Sequence, residues 1–245
     1  MMGRWSRLAG EVFLDWLAPQ TGLRWLDVGC GNGAFTELLI ERCAPSNVMG
    51  IDPSEGQLAY ARTRLAAGPV SFRQCDAQTL PFADDEFDAA TMALVINLFP
   101  DPAKAVAEIA RVVRPGGQVA TYMWDIMGGG FTMEPIREAL GELGVSTPMY
   151  GAEGTRPEKM SDLWENAGLD GIVVRRIDVQ LTYASFYDFW RANTGTPNTI
   201  FKAIAALSPA EVKQLRARLL VRLPTDQYGR FSYGAHANAV KGTVN

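Results

Sequence analysis

The chain has 245 residues, of which 47% are hydrophobic, and this is enough apolar material for one full α/β domain with one appended element. The formal net charge of −4 argues against non-specific nucleic-acid binding, and no run approaches the ~18 apolar residues of a membrane span. The three cysteines lack C-x-x-C spacing and residues 1–10 lack a signal-peptide pattern, so we expect no disulfide framework, no metal site and a cytoplasmic location.

Strands and helices alternate through the first half of the sequence. Apolar runs predict five strands at residues 25–28, 48–51, 70–74, 87–92 and 118–124. Helical spacing predicts helices at residues 34–43, 54–65 and 102–113, with a capping box at Ser54-Glu55-Gly56-Gln57 and an N-cap at Asp101 followed by Pro102. Arg114-Pro115-Gly116-Gly117 is predicted to be a turn into the fifth strand. This alternation predicts a parallel sheet with helices on both faces.

The pattern changes after residue 127. Gly128-Gly129-Gly130 is interpreted as a flexible hinge. Helices are predicted at residues 131–143, 161–167, 185–192 and 208–223, and two further strands at residues 171–181 and 235–240. We therefore expect an N-terminal helix within 1–22 and a core over 23–127. A helical cap is predicted over 128–234, and it is interleaved with a core helix and strand at about 161–181. A last core strand is predicted over 235–245.

A glycine-rich turn joins the first predicted strand to the first core helix. Gly29, Gly31 and Gly33 fall on alternate positions, a pattern that lets backbone approach a ligand closely. Gly29 and Gly31 with Ala34 also satisfy the G-x-G-x-x-G/A dinucleotide fingerprint. Asp27 favours a different cofactor, because a carboxylate just before the glycines would repel a pyrophosphate and would suit an ammonium group.

Three acidic residues stand at the ends of the first three predicted strands, namely Asp27, Asp52 and Asp76. In an open α/β sheet, ligands bind at the carboxyl edge near the switch in strand order. The three acids together indicate a ligand-binding site at this edge.

The sequence resembles the class I S-adenosylmethionine-dependent methyltransferases, and in particular the small-molecule branch that includes the ubiquinone/menaquinone biosynthesis methyltransferases. The resemblance covers residues 23–124 and is carried by residues 26–33 (LDVGCGNG), 50–54 (GIDPS), 75–82 (CDAQTLPF) with 87–88 (FD), and 109–117 (IARVVRPGG). It implies a Rossmann-like, doubly wound α/β fold with a seven-stranded, mostly parallel sheet and an inserted helical cap. It also disfavours the nicotinamide alternative.

The resemblance implies which residues bind S-adenosyl-L-methionine. Asp27 would position the cofactor ammonium, Asp52 would accept hydrogen bonds from the ribose hydroxyls, and Asp76 with the backbone of Ala77 would bind the adenine edge. The full implied set is Asp27, Gly29, Cys30, Gly31, Gly33, Asp52, Pro53, Gln57, Asp76, Ala77, Ala93 and Leu94. In relatives, an aromatic or basic residue of an N-terminal helix contacts the cofactor carboxylate, a role open here to Trp5 or Arg7.

The expected activity is methyl transfer by in-line displacement to a small, partly apolar acceptor, with no nucleic acid as partner and no membrane span. No catalytic residue follows from the motifs, because an activated methyl donor needs a base only for some acceptors. His236 is more simply explained as structural. The aromatic residues between Phe186 and Trp190 fit either an acceptor pocket or lid packing. A non-catalytic cofactor-binding protein, or a nicotinamide-dependent reductase, remains the alternative.

Overall fold

The computed structural model describes residues 2–195 and 198–245; Met1 and residues 196–197, the latter within the predicted cap, lie outside the described residues. Seven strands form one sheet. The strands are β1 (Arg24–Val28), β2 (Asn47–Asp52), β3 (Val70–Gln74), β4 (Phe87–Ala93), β5 (Val113–Trp124), β6 (Asp170–Tyr183) and β7 (Phe231–Thr243).

The helices of the described residues flank this sheet. They are α1 (Met2–Leu17), α2 (Ala34–Cys43), α3 (Glu55–Arg64), α4 (Pro102–Val112), α5 (Glu134–Gly141), α6 (Pro157–Asn166), α7 (Phe186–Thr194), α8 (Thr199–Ala205) and α9 (Pro209–Arg222). Two short 3-10 segments, Ile96–Leu98 and Ala152–Thr155, follow β4 and precede α6.

The strand order is β3-β2-β1-β4-β5-β7-β6. The first five strands are parallel, whereas β7 runs antiparallel to both β5 and β6. The order reverses between β1 and β4, so right-handed connections place α2 and α3 on one face and α4 on the other. The predicted doubly wound, mostly parallel seven-stranded fold is confirmed.

Local sequence signals explain where the core helices begin. The Ser54 hydroxyl accepts a hydrogen bond from Gln57 N at the start of α3. The Asp101 side chain accepts one from Lys104 N at the start of α4, and Pro102 occupies the first turn, where its missing N–H costs nothing. The first turns of these helices are therefore fixed by residues that the sequence analysis identified.

Two strand boundaries differ from the prediction. The predicted turn Arg114-Pro115-Gly116-Gly117 lies within β5, because Gly116 N donates to Val244 O (2.8 Å) and Val244 N donates to Gly117 O (2.9 Å). β7 begins at Phe231 rather than at residue 235, because its partner β6 extends to Tyr183. Helix α8 was not predicted, since its seven residues carry too little periodicity to stand out.

Within the triple glycine, Gly128 packs against Asp125 and Gly130 packs against His236 of β7. Gly130 N donates to Asp125 O (2.7 Å), and His236 N donates to Gly130 O (3.0 Å). A Cβ at Gly130 would overlap the backbone of His236. The hinge interpretation is corrected accordingly: at Gly130, glycine is required by close approach to β7.

Helices from the inserted region pack on one another. Ion pairs join α9 to α5, with Arg218 to Glu142 at 2.7 Å and Arg222 to Glu138 at 2.6 Å. Arg216 lies over the Trp190 ring at 5.4 Å. Among the described residues, no helix combines the length and the apolar character needed to cross a membrane.

Candidate functional site

A cleft of about 860 Å³ opens at the carboxyl edge of the sheet, where the strand order reverses. Its walls come from α1, the glycine loop after β1, α2, the end of β2, α3, the segment after β4, and Tyr122 of β5. Seven of the twelve predicted cofactor contacts line it, namely Gly29, Cys30, Gly31, Asp52, Gln57, Ala93 and Leu94. The structure therefore brings together residues separated by up to 65 positions in sequence.

Asp52 is anchored at the floor of this cleft. Its Oδ2 accepts a hydrogen bond from Gly31 N at 3.0 Å and its Oδ1 accepts one from Ser54 N at 2.9 Å. A carboxylate has about four lone-pair sites, so two backbone donors leave acceptor capacity facing the cleft. The orientation of Asp52 is therefore set by the backbone before any ligand binds.

Asp27 lies beneath the loop and is fully buried. Its Oδ2 accepts a 2.6 Å hydrogen bond from the Thr36 hydroxyl of α2, whereas its Oδ1 is buried with no partner among the described residues. Burial raises the pKa of Asp27 to about 7, against the lowering effect of the Thr36 hydrogen bond, and the nearby charge of Asp52 raises it further. An unpartnered carboxylate oxygen of this kind fits a cationic donor.

The glycine loop is shaped by close packing as well as by positive φ. A Cβ on Gly29 would approach the Val95 side chain to 2.8 Å, whereas a Cβ on Gly31 would meet nothing within 4 Å. Both have positive φ, 70° and 53°, as does Gly33 at the start of α2 (78°). Gly31 thus leaves open space on the cleft side, a cradle that a side chain would fill.

Cys30 and Leu94 complete the cleft wall. Burial raises the pKa of the Cys30 thiol, and the charges of Asp27 and Asp52 raise it further, so the thiol stays protonated and unreactive. Leu94 has a φ of 62°, a conformation that costs roughly 1–3 kcal/mol for a residue other than glycine. Its N–H donates to Tyr122 O (2.9 Å), which holds this strained residue at the cleft.

Five of the predicted contacts lie outside the cleft lining: Asp27, Gly33, Pro53, Asp76 and Ala77. Asp27 is buried below it, and Asp76 is exposed beside it. Asp76 accepts hydrogen bonds from Gln78 N (2.9 Å) and from Gln78 Nε2 (3.1 and 3.0 Å), and these bonds lower the pKa of its carboxyl. Gln78 Oε1 in turn accepts from Asp101 N (3.1 Å), so this residue links Asp76 to the start of α4.

Helix α1 covers the cleft, and its two candidate cofactor contacts take different positions. Arg7 lines the cleft and pairs with Glu41 at 2.8 Å. Trp5 is buried away from the cleft lining, and its Nε1 donates to the Tyr183 hydroxyl at 3.1 Å. Of the two residues, Arg7 is therefore the one placed to contact a ligand.

The inserted region contributes no residue to the cleft lining within the described ranges. Its nearest connection is Arg4 of α1, which lines the cleft and donates from Nη2 to Thr182 O (3.0 Å). Arg4 Nη1 also lies 3.7 Å from Asp188 Oδ2 of α7. The guanidinium of Arg4 thus connects the cleft lining to Thr182 and Asp188 of the inserted region.

The aromatic residues of α7 mostly pack within the cap. Phe189 is fully buried, and Phe186 stacks on Trp190 with ring centroids 6.2 Å apart. Tyr187 is 68% exposed. His236 lies in a separate cavity on the face of β6 and β7, where its Nε2 is 3.2 Å from Asp125 Oδ2. Neither group lines the cleft at the carboxyl edge of the sheet.

Thr36 and Arg4 are site residues that the sequence analysis missed. A threonine in the first turn of a helix carries no distinct signal, although its spacing of nine residues from Asp27 is fixed by the turn between them. In the described part of the chain, no group of three or more His, Cys, Asp and Glu side chains is arranged to hold a metal ion.

Comparison with known proteins agrees with this architecture. The family model described as "Methyltransferase domain" matches residues 26–121. The ubiquinone/menaquinone biosynthesis C-methyltransferase UbiE of Paracoccus denitrificans is 37% identical over 123 residues, which is 49% of this chain and 49% of that protein. The chain thus spans about half the length of the curated relatives that it matches.

Solved structures show the same fold over most of the chain. A candidate methyltransferase from Bacillus halodurans C-125 has a TM-score of 0.63 at 17% identity, covering 96% of this chain and 97% of its own. Phosphoethanolamine N-methyltransferase 2 of Haemonchus contortus, solved with S-adenosyl-L-methionine, has a TM-score of 0.60 at 21% identity. The match covers 96% of this chain and 51% of that one.

The match of residues 26–121 to a methyltransferase domain, and a fold shared with solved methyltransferases, make the chain similar to the class I S-adenosylmethionine-dependent type. Within that class, the chain resembles the C-methyltransferases of ubiquinone and menaquinone biosynthesis. The expectations about the fold and about this resemblance are confirmed.

Proposed function

We propose that this protein transfers a methyl group from S-adenosyl-L-methionine to a small, partly apolar acceptor. The observation that carries the proposal is the Asp52 carboxylate, which two backbone N–H groups hold in the cleft beside Gly31. A fixed acceptor next to a residue without a side chain suits the adjacent hydroxyls of a ribose. The unpartnered Oδ1 of Asp27 supports the same ligand, because the cofactor carries an ammonium group.

The remaining predicted contacts take roles consistent with their positions. Gly29, Cys30 and Gly31 would lie against the methionine portion, with Gly33 and Gln57 on the neighbouring helices. Asp76 and the backbone of Ala77 would bind adenine, provided that the adenine amine replaces the Gln78 side chain on the Asp76 carboxylate. Arg7 is the proposed partner of the cofactor carboxylate.

The residues of the chain would mainly bind and orient the cofactor and the acceptor, and exclude water from the cleft. When bound, the cofactor supplies a methyl group on a positively charged sulfur, which is open to attack by a nucleophile held in line. Burial raises the pKa of the Tyr122 hydroxyl, so this cleft residue stays protonated and serves as a donor rather than as a base. The acceptor is therefore expected to bring a carbon, nitrogen, oxygen or sulfur that is already nucleophilic.

The chemistry of the acceptor is suggested by the segment after β4. Leu94, Val95 and Leu98 line the cleft, and Leu98 is 68% exposed. Exposed apolar side chains at the mouth of a cleft suit a ligand with an apolar part. Aromatic quinone precursors belong to this class, and the named relatives act in ubiquinone and menaquinone biosynthesis.

The region 128–234 is proposed to contribute to acceptor binding indirectly. Arg4 connects the cleft to Thr182 and Asp188, so movement of α7 would change the position of this guanidinium. The core at 23–127 would then bind the cofactor while the cap adjusts the acceptor side.

The experiment that tests the proposal has two parts. Isothermal titration with S-adenosylhomocysteine should give one site per chain, and the ligand should raise the melting temperature because it binds the native state. A screen of acceptors with labelled methyl donor should then find transfer to a partly apolar small molecule. Binding without transfer to any acceptor would favour a non-catalytic cofactor-binding protein, and tight binding of NADH instead would reject the proposal.

A further inference from the structure

Asp27 and Thr91 lie side by side on the face of the sheet that carries α2. They are partner positions on the parallel strands β1 and β4, so their side chains project to the same side. Both are fully buried, and Asp27 Oδ1 and Thr91 Oγ1 have no hydrogen-bond partner among the described residues. Buried polar atoms are nearly always paired, so two unpaired neighbours require an explanation.

The positions flanking this pair are the smallest available. Across four strands the row reads Gly50, Asp27, Thr91 and Ala120. Side chains at paired positions have Cβ atoms about 5 Å apart, close enough for direct contact, yet Asp27 Oδ1 and Thr91 Oγ1 make no hydrogen bond to each other, so one bridging molecule would satisfy both. The space above Gly50 is filled by the Phe72 ring and Cys30 Sγ, so a bridging molecule would lie between Asp27 and Thr91 themselves.

Aromatic side chains cover the same face. Phe13 of α1 lies 4.7 Å from Tyr122 of β5 between ring centroids, and Phe35, next to Thr36 in α2, lies 5.9 Å from Tyr122. Phe35 and Tyr122 also line the cleft, whereas Asp27 and Thr91 are fully buried and have no contact with bulk solvent. A single enclosed water that accepts from one group and donates to the other is the usual way in which such atoms are satisfied.

We propose that Thr91 is a positioning residue for the Asp27 carboxylate. Its hydroxyl donates to one internal water, and that water donates to Asp27 Oδ1, while the Thr36 hydroxyl donates to Oδ2. Two threonines from opposite sides thereby fix the orientation and the charge of the carboxylate. The inference rests on the proposed function only for its consequence, which is that the carboxylate is ready for the cofactor ammonium.

Among the described residues, no positively charged group acts on Asp27 and could do this instead. The titratable groups that influence it are Asp52 at the end of β2, Cys30 in the loop and Tyr122 on β5. The first carries a negative charge, and burial keeps the other two protonated. Thr36 of α2 and Phe13 of α1 are neutral, so hydrogen bonds from neutral donors must stabilise the ionised carboxylate.

The test is the pH dependence of stability of the ligand-free protein, measured by urea unfolding between pH 4.5 and 8.5. Thr91→Val keeps the shape and removes the hydroxyl, so it should move the protonation of Asp27 upward by about one pH unit. Thr91→Ser should keep the wild-type profile. Thr121→Val is the matched control, because the Thr121 hydroxyl is buried on the next strand and donates to Met92 O (2.5 Å). It should lower stability equally at every pH.

Two results would overturn the proposal. One is a Thr91→Val profile parallel to that of the wild type. The other is an increase in stability at every pH, as expected when an unpaired buried hydroxyl is removed. If Thr91→Val does not fold, the same measurement is made on Thr91→Ala, which also removes the hydroxyl and has a smaller side chain. In the Asp27→Asn background, Thr91→Val should no longer change the pH profile.

The same variants separate this inference from the proposed function. The pH shift concerns the free protein and does not depend on any cofactor. If the shift appears while S-adenosylhomocysteine fails to bind the wild type, Thr91 positions Asp27 and the methyltransferase proposal fails. If S-adenosylhomocysteine binds the wild type and no pH shift appears in Thr91→Val, the methyltransferase proposal stands and the role of Thr91 is rejected.

Discussion

The Thr36 hydroxyl donates to the buried carboxylate of Asp27 across 2.6 Å and joins the first turn of α2 to the end of β1. The glycine loop lies between these two residues, so this bond closes the loop from below. Gly31 N, in the same loop, donates to Asp52 of the adjacent strand. The loop is thus held between two acids before any ligand arrives, which is the preorganisation that tight binding requires.

The buried charge of Asp27 should make stability depend on pH. Burial raises its pKa to about 7 from an ordinary value of 3.8, so between about pH 4 and pH 7 the native state keeps a proton that the unfolded state has lost. Stability should therefore fall as pH rises through this window, with a slope of up to about 1.4 kcal/mol per pH unit. Asp27→Asn should flatten the urea-unfolding profile in this range, and parallel profiles would show that the native carboxyl titrates normally.

Asp76 should discriminate adenine from hypoxanthine. Its carboxylate accepts two bonds from the Gln78 side chain, and an adenine amine would compete for the same oxygens. Asp76→Ala should weaken S-adenosylhomocysteine by about 10-fold, the equivalent of one hydrogen bond to a charged group, while changing an inosyl analogue much less. Calorimetry with both ligands measures this difference. Asp162→Ala, an exposed acid on α6, is the control, and equal losses for both ligands would assign Asp76 to folding.

Arg7 should contribute to binding only when the ligand carries a carboxylate. It lines the cleft, although Glu41 and Glu11 already pair with it. Arg7→Gln should weaken S-adenosylhomocysteine by about 10-fold and leave methylthioadenosine, which lacks the amino-acid portion, within about threefold. Arg42→Gln removes a comparable ion pair between α2 and Asp15 outside the cleft and should affect neither ligand. Equal effects of Arg7→Gln on both ligands would argue against a carboxylate contact.

The α7 aromatics should affect the cap without affecting the cofactor. Trp190 stacks on Phe186 and lies under Arg216, so Trp190→Ala should lower the free energy of unfolding by about 2 kcal/mol. Tyr187→Ala, at a residue 68% exposed, should change it by less than about 0.5 kcal/mol. Neither variant should change cofactor affinity by more than about threefold. Loss of cofactor binding in Trp190→Ala would place this helix at the cofactor site instead.

The sequence predicted the core well because its signals were local. Apolar runs ending at Val28, Asp52 and Gln74 defined the strand ends, and Ser54 and Asp101 defined the helix starts. Asp52 was correctly expected to lie near the glycine loop, because the carboxyl ends of parallel strands share an edge of the sheet.

The features that the sequence did not predict depend on register and on packing. Thr91 becomes relevant only because β4 places it beside Asp27, a fact that no local pattern contains. The need for glycine at position 130 comes from β7, more than one hundred residues away. Helix α7 carries a dense aromatic pattern, yet its rings are used by Arg216 and the cap interior rather than by the cleft. The roles of Thr91, Gly130 and the α7 aromatics are therefore set by tertiary contacts, which a local sequence pattern does not contain.

The most direct test of the account is calorimetric titration of S-adenosylhomocysteine into the wild type and Asp52→Ala, with NADH titrated in parallel. The account predicts binding to the wild type, a loss of about 10- to 1000-fold in Asp52→Ala, and no binding of NADH. Asp52→Asn checks that the loss is not due to unfolding of the loop, since an amide oxygen can still accept one of the two backbone bonds. An unchanged dissociation constant in Asp52→Ala, or binding of NADH in place of the sulfur compound, would contradict it.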